Sequence, residues 1–220
     1  MDDAILLCKE SESIKHLYTV DKRLERVISE IGHISYSTPQ DDFTFLVSTI
    51  IGQMLSNSVA DVLTDRFFDL CNGVITPASI KALTDDEIRG IGLAYSKARF
   101  LRNLSTAVTE GTLNFTELKS LSDPEIIKRL TTIKGIGMWT AKMYLIFVLD
   151  RQDVLPYEDM AFIQSYKWLY KADDLSKEAV ERKCKKWKPY SSIAARYLYR
   201  ALDMGYTKTP FHLYKPLKRG

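Results

Sequence analysis

Two short stretches of this sequence have the residue types and spacing to do chemistry. The first is Lys134-Gly135-Ile136-Gly137-Met138-Trp139-Thr140-Ala141. Glycine tolerates positive φ and lets another backbone come close. Two glycines between apolar-patterned segments read as the end of one helix, a tight turn and the start of a second. Such a turn leaves backbone N–H groups of the second helix pointing outward with the helix dipole behind them, and that arrangement binds an anion such as a phosphate. Paired glycines between helices are most often plain turns. The whole string, with a patterned helix on each side, is a more specific signal than Gly-x-Gly alone. The second stretch is Val154-Leu155-Pro156-Tyr157-Glu158-Asp159, which ends in a carboxylate about 20 residues after the second glycine. Asp159 opens a predicted helix, Met160 to Tyr170, and an aspartate there is ordinarily a cap. Cap and chemistry are compatible: a carboxylate held at a helix N-terminus stays ionised, which suits the stabilisation of a cation.

The elements that must position these residues read as helices throughout. Asp21 is a predicted N-cap, with Leu24, Val27, Ile28 and Ile31 on one face and Gly32 as the stop. Asp42 to Gly52 is almost wholly apolar and reads as a buried helix, although its β-branched content also permits a strand. Ser56 or Asn57 caps the next helix, with Val59, Val62, Leu63 and Phe67 expected inward. Thr76-Pro77 starts a short helix. Thr84 to Glu87 and Ser122 to Glu125 are capping boxes. Ala94 to Glu110 is a long amphipathic helix with Ala98, Leu101, Leu104 and Val108 inward. After the second glycine the run Met143 to Val148 predicts burial over most of that helix. Asp150 to Tyr157 reads as a loop, and Ser176 to Met204 as two helices joined at Pro189-Tyr190. Residues 1–18 read as an irregular arm with a helical turn, Ser35 to Gln40 as a turn-rich link, and the tail after Gly205 as irregular. Trp168 and Trp187 are expected in the core.

Composition narrows the function classes. At 220 residues, with 45% hydrophobic and 27% charged side chains, the chain is long enough for one sizeable core or two lobes. The start MDDAILLCKE lacks the basic region of a secretory signal, and no apolar run approaches the ~20 residues a membrane helix needs. Cys8, Cys71 and Cys184 are widely separated and too few for a four-cysteine iron–sulfur cluster. His16, His33 and His212 neighbour no Cys or acid at metal-ligand spacing, so no side-chain metal site is expected. Net charge is +3 but uneven. Arg182 to Gly220 holds eleven Lys/Arg against one acid, Asp203, whereas the residues before it carry 20 basic and 27 acidic side chains. A basic segment on an acidic chain suits a polyanion partner, and equally a solvated surface.

GIGMWTA followed by LPYED resembles the helix-hairpin-helix DNA glycosylase superfamily, and within it the 3-methyladenine DNA glycosylase II type in a compact form without an extra N-terminal domain. The resemblance covers roughly Asp21 to Asp203. It implies an all-α, two-lobed helical fold in a single domain, residues 1–220, with the hairpin at 126–149, lobes of about 41–150 and of 1–40 plus 151–220, and an active-site cleft between lobes. It implies that the hairpin grips the DNA backbone through Lys134, Gly135, Gly137 and Thr140, and that Asp159 is catalytic. IIGQMLSNSVADVL resembles the family's second signature. By that analogy Met54 wedges into the duplex as the target base leaves and Gln53 is its polar neighbour; Met54 as a core gap-filler and Gln53 as a helix-end cap are equally good readings. Trp139, Tyr157 and Tyr199 are the implied aromatic walls of a base pocket. Met143 stands one turn after the hairpin tryptophan, where this branch often has tyrosine, which alters the pocket's shape. Relatives that also nick the strand carry a Lys where this chain has Trp139, so the implied reaction is monofunctional.

The implied chemistry is hydrolysis of the N-glycosidic bond of an alkylated purine, 3-methyladenine or 7-methylguanine, in base-excision repair. Cleavage builds oxocarbenium-like charge on the sugar, which a fixed carboxylate stabilises. One carboxylate suffices when the leaving base is already cationic. The expected partner is double-stranded DNA containing a damaged base, met by a monomer in the cytoplasm, the nucleoid or a nucleus and away from membranes. No cofactor is expected beyond a Na⁺ or K⁺ ion on the backbone of Thr131, Ile133 and Ile136. Two alternatives stand beside this reading: a glycosylase for oxidised or mismatched bases, and a non-catalytic helix-hairpin-helix DNA-binding protein.

Overall fold

The structure, a computed structural model, describes residues 4–212. The chain divides into two compact units, one from the residues up to Thr38 together with those from Asp150 on, the other Pro39–Leu149. In chain order the first unit opens with strand β1 (Ile5–Leu7), helices α1 (Glu12–Val20) and α2 (Lys22–Ile31), and strand β2 (Ile34–Tyr36). The second unit is helical: α3 (Asp42–Gly52), α4 (Asn57–Leu70), α5 (Pro77–Ala82), α6 (Asp85–Gly90), α7 (Tyr95–Thr109), α8 (Phe115–Lys119), α9 (Asp123–Thr131) and α10 (Met138–Phe147). The chain then returns to the first unit for α11 (Met160–Tyr170), α12 (Lys177–Cys184) and α13 (Ser191–Asp203). None of the described helices is long and apolar enough to cross a membrane.

The core of the first unit surrounds α11 and α13. Phe162, Leu169, Trp187, Tyr197 and Leu198 are buried there against Leu17, Leu24 and Val27 of α1 and α2. Asp21 fixes the start of α2, accepting hydrogen bonds from the Arg23 and Leu24 N–H groups at 3.1 and 3.2 Å. Its other oxygen is fully used: Tyr170 Oη, Trp187 Nε1 at 2.9 Å and Lys186 Nζ at 3.0 Å all donate to Oδ2. One buried carboxylate thus ties α2 to α11 and to the turn after α12. In the second unit α3 and α10 run through the interior, and Phe43, Leu46, Val47, Ile50 and Ile51 of α3 and Ala141, Leu145 and Ile146 of α10 are buried. A hydrogen-bonded ion pair locks their register: Tyr144 Oη donates to Asp42 Oδ1 at 3.1 Å, and Lys119 Nζ lies 2.7 Å from Asp42 Oδ2.

The structure corrects three expectations. The N-terminal arm and the link after Gly32 pair as an antiparallel ribbon, with Ile5 opposite Tyr36 and Leu7 opposite Ile34. Three-residue strands are too short to show a period, and their pairing is set by a contact distant in sequence. Val59 and Val62 point to solvent at 45% and 49% exposure, while Leu63 and Phe67 are buried, so α4 lays a narrower stripe on the core than its apolar content suggests. The tail after Gly205 contains a 3-10 turn, Tyr206–Lys208; its continuation with Pro216 lies outside the described residues.

Candidate active site and DNA-binding hairpin

The hairpin joins α9 to α10. A capping box opens α9, with the Glu125 carboxylate accepting from the Ser122 N–H at 3.0 Å and from its hydroxyl. The Ser122 box begins a nine-residue helix with Ile126 and Leu130 buried, which ends where the glycines allow the chain to reverse. Gly135 adopts φ +113. A Cβ there would lie 2.3 Å from Phe100 Cγ, so only glycine lets the turn sit against the α7 ring. Gly137 differs. Its φ is −98, open space surrounds it, and it is the N-cap of α10. Beyond it the first turn of α10 presents N–H groups a helix cannot satisfy internally. Lys134 is exposed, and its carbonyl accepts from Asn103 Nδ2 at 2.9 Å. The carbonyls of Thr131, Ile133 and Ile136 lie at the open end of α9 and in the turn, where the last C=O groups of a helix lack intrahelical partners. The Ile133 carbonyl accepts the Ile136 N–H at 2.9 Å and keeps a lone pair. Backbone carbonyls are hard oxygen donors, the kind an alkali-metal ion takes. Among the described residues no cluster of His, Cys, Asp or Glu has the makings of a side-chain metal site.

Gln53 and Thr140 meet beneath the turn. Gln53 Nε2 donates to the Gly135 carbonyl at 2.9 Å and to Thr140 Oγ1 at 3.1 Å. The Thr140 side chain is buried, so its hydroxyl works inside the protein and only its backbone belongs to the turn's outer face. Met54 takes the other path. It has φ +60 and is wholly exposed, which removes the gap-filler reading: a fully solvated methionine on a left-handed backbone packs nothing. Trp139 is half-buried in the first turn of α10, and Met143 is buried one turn later.

The carboxylate stretch lies in the other unit. Asp159 is buried at the start of α11, where Oδ1 accepts the Phe162 N–H at 2.9 Å. Tyr199 of α13 stands in its electrostatic field. Burial first, and then the Asp159 carboxylate, pushes the Tyr199 phenol well above its usual range, with Arg196 opposing. Arg196, three residues before Tyr199 on the same helix, was not singled out by its sequence. It is held by Asp150 Oδ1 at 3.1 Å, over the ring of Tyr36 at 3.8 Å, and Tyr36 Oη donates to the same oxygen at 2.9 Å. Tyr157, beside the carboxylates in sequence, turns its hydroxyl to the Leu175 carbonyl at 3.1 Å and packs against the core. The structure thus brings Gln53 together with Gly135 and Thr140 in one unit, while in the other unit Asp159 acts on Tyr199 through its charge.

A helix–Gly-x-Gly–helix turn with the free N–H groups of a helix start beyond it, in one chain with a buried, helix-capping aspartate, is the architecture of a helix-hairpin-helix protein. Residues 47–189 match the family described as HhH-GPD superfamily base excision DNA repair protein, and the chain belongs to that superfamily. It is 29% identical over 201 residues to DNA-3-methyladenine glycosylase 1 of Schizosaccharomyces pombe, covering 88% of each chain. Among solved structures, it resembles a DNA-3-methyladenine glycosidase of Bacillus halodurans with 32% identity and a TM-score of 0.81, covering 95% of this chain and 97% of that one. It also resembles the 3-methyladenine DNA glycosylase of S. pombe, solved in complex with abasic DNA, with 27% identity and a TM-score of 0.82, covering 89% and 98%.

Proposed function

We propose that this protein is an alkylbase DNA glycosylase of base-excision repair, a hydrolase that releases alkylated purines such as 3-methyladenine and 7-methylguanine and leaves the strand intact. The observation that carries the reading is Asp159: a buried carboxylate, held by the Phe162 N–H and acting electrostatically on Tyr199, in a chain of this family. A protein that only bound DNA would need it as the α11 cap alone, and the substitution below separates that role from catalysis.

The substrate is a duplex from which the damaged nucleotide has been extruded. The hairpin holds the backbone through the α10 N-terminus, with Lys134 adding charge, and a Na⁺ or K⁺ ion on the carbonyls of Thr131, Ile133 and Ile136 would strengthen that grip. A 3- or 7-alkylated purine is already cationic, so the bond between its nitrogen and C1′ breaks with both electrons leaving on the base, without prior protonation. The sugar becomes oxocarbenium-like. The Asp159 carboxylate stabilises that charge and accepts a proton from the water that adds to C1′. An aromatic face attracts such an electron-poor base by about 0.5–2 kcal/mol, and Tyr199 and Trp139 are the candidates. Trp139 stands where strand-nicking relatives need an amine, so no Schiff base with the sugar forms. The chemistry as written uses no cofactor, and one copy of the chain carries every group named.

The test is base release from methylated duplex DNA by wild type and Asp159→Asn. We expect free 3-methyladenine or 7-methylguanine from wild type and a loss of at least about a hundredfold in the variant, with DNA binding retained and no strand cleavage. Equal release by both would reduce Asp159 to a helix cap.

A further inference from the structure

Helix α7 carries none of the groups named above for chemistry or phosphate contact, yet three of its side chains support the Gly135 turn and the turn that carries Met54. Lys97, Phe100 and Asn103 recur at intervals of three, which sets them along one face of the helix. Lys97 Nζ donates to the Ile51 carbonyl at 2.6 Å and the Gln53 carbonyl at 2.8 Å. These carbonyls lie at the C-terminal end of α3, where no intrahelical partner is available, and that of Gln53 immediately precedes Met54. Phe100 is the ring against which Gly135 sits. Asn103 Nδ2 holds the Lys134 carbonyl at 2.9 Å. Gln53 closes the figure by bonding across from the α3 end to Gly135 and Thr140. Met54 is therefore left wholly in solvent, on a backbone at φ +60, while the residue before it is fixed from three directions.

We propose that Lys97, Phe100 and Asn103 are positioning residues that hold the Met54 turn at a set offset from the phosphate-gripping hairpin, so that gripping the backbone and driving Met54 into the stack become one event. The proposal rests on the glycosylase reading and deepens it. A left-handed, solvated methionine has no contact of its own to hold it in place. Without the Lys97 ammonium the two carbonyls lose their donor and the turn is free to relax. The hairpin, which keeps Phe100 and its own backbone bonds, would still bind phosphate.

The experiment uses a duplex with 2-aminopurine opposite the lesion as a reporter of unstacking, together with single-turnover release of 7-methylguanine. Lys97→Met, Asn103→Ala, Met54→Ala and the double variant Lys97→Met/Met54→Ala are compared. Lys97→Met should lower the rate of the fluorescence rise and of base release by about ten- to a hundredfold, the scale a misplacement of about 1 Å costs. Its affinity for undamaged duplex should stay within about twofold of wild type. Asn103→Ala should show the same pattern more weakly, and Lys97→Arg should restore most of the rate. The double variant should be no slower than Met54→Ala, because both act through one side chain. Losses that multiply in the double variant, or that track a fall in duplex affinity, would overturn the proposal. If Lys97→Met does not fold, Asn103→Ala decides: wild-type unstacking in that variant also overturns it. A wild type that unstacks DNA in a Met54- and Lys97-dependent way yet releases no alkylated base would refute the glycosylase reading and leave the positioning intact.

Discussion

The two glycines of the hairpin should answer the same substitution in opposite ways. At Gly135 an alanine meets two obstacles. Its φ of +113 lies where non-glycine residues cost about 1–3 kcal/mol. Its Cβ would come within 2.3 Å of Phe100 Cγ and 2.4 Å of Phe100 Cβ. Because one of those atoms is the ring's own anchor, rotating the side chain does not clear it, and overpacking adds about 1–3 kcal/mol. Gly135→Ala should therefore destabilise the protein by about 2–6 kcal/mol, a large part of the roughly 5–15 kcal/mol that holds a domain folded. Gly137 sits at φ −98, which alanine accepts, and nothing lies within 4 Å of the position its methyl would take. Gly137→Ala should fold within about 0.5 kcal/mol of wild type, yet place a methyl where a phosphate oxygen would approach the α10 N-terminus, lowering duplex affinity about tenfold or more. Urea denaturation and fluorescence anisotropy with a labelled duplex, run on both variants, separate the two jobs. A stable Gly135→Ala would refute the close-approach argument. A Gly137→Ala protein that binds like wild type would refute the use of that helix end for phosphate.

Two further outcomes follow from charge. The Asp21 carboxyl is buried, which by itself would raise its pKa, but the hydrogen bonds from Tyr170, Trp187 and Lys186 win and lower it. A depressed carboxyl stabilises the fold above its unfolded value of about 3.9 and loses that contribution as pH falls through the folded value. Asp21→Asn should thus cost about 1–3 kcal/mol at neutral pH and flatten the acid limb of the stability curve below about pH 4; an unchanged acid limb would contradict it. Duplex affinity should fall steeply between about 50 and 200 mM salt, roughly as the power of the number of phosphates neutralised, and a flat response in the same anisotropy assay would argue against a phosphate-reading hairpin.

What the sequence showed of this protein was what is written locally. A turn that demands glycine, a capping box and a buried helix with apolar residues on most faces all leave their signature within one short stretch of chain, and the hairpin and α11 were legible for that reason. Asp159 was legible as a cap, and its chemistry came only with the resemblance. Met54 marks the limit. A methionine after a glycine–glutamine pair reads as filler or as a probe, and only the solvent around it separates the two. Val59 and Val62 misled for the converse reason, since apolar type states a preference for burial but not whether another element arrives to provide it. The ribbon of β1 and β2, the Asp42–Tyr144–Lys119 cluster and the α7 supports of the hairpin join residues as much as 102 positions apart, and no local pattern encodes such a meeting. Lys97 and Asn103 look like ordinary polar positions of an amphipathic helix; their partners are backbone carbonyls, which carry no sequence identity at all. The hairpin turn is therefore readable from residue type and spacing, and Asp159 as a cap whose chemistry the resemblance supplies, while the residues that support the turn are readable only from the fold. The supporting residues are the sharper test, because a helix cap or a solvated lysine predicts no coupling to Met54, and the bracket built on α7 does.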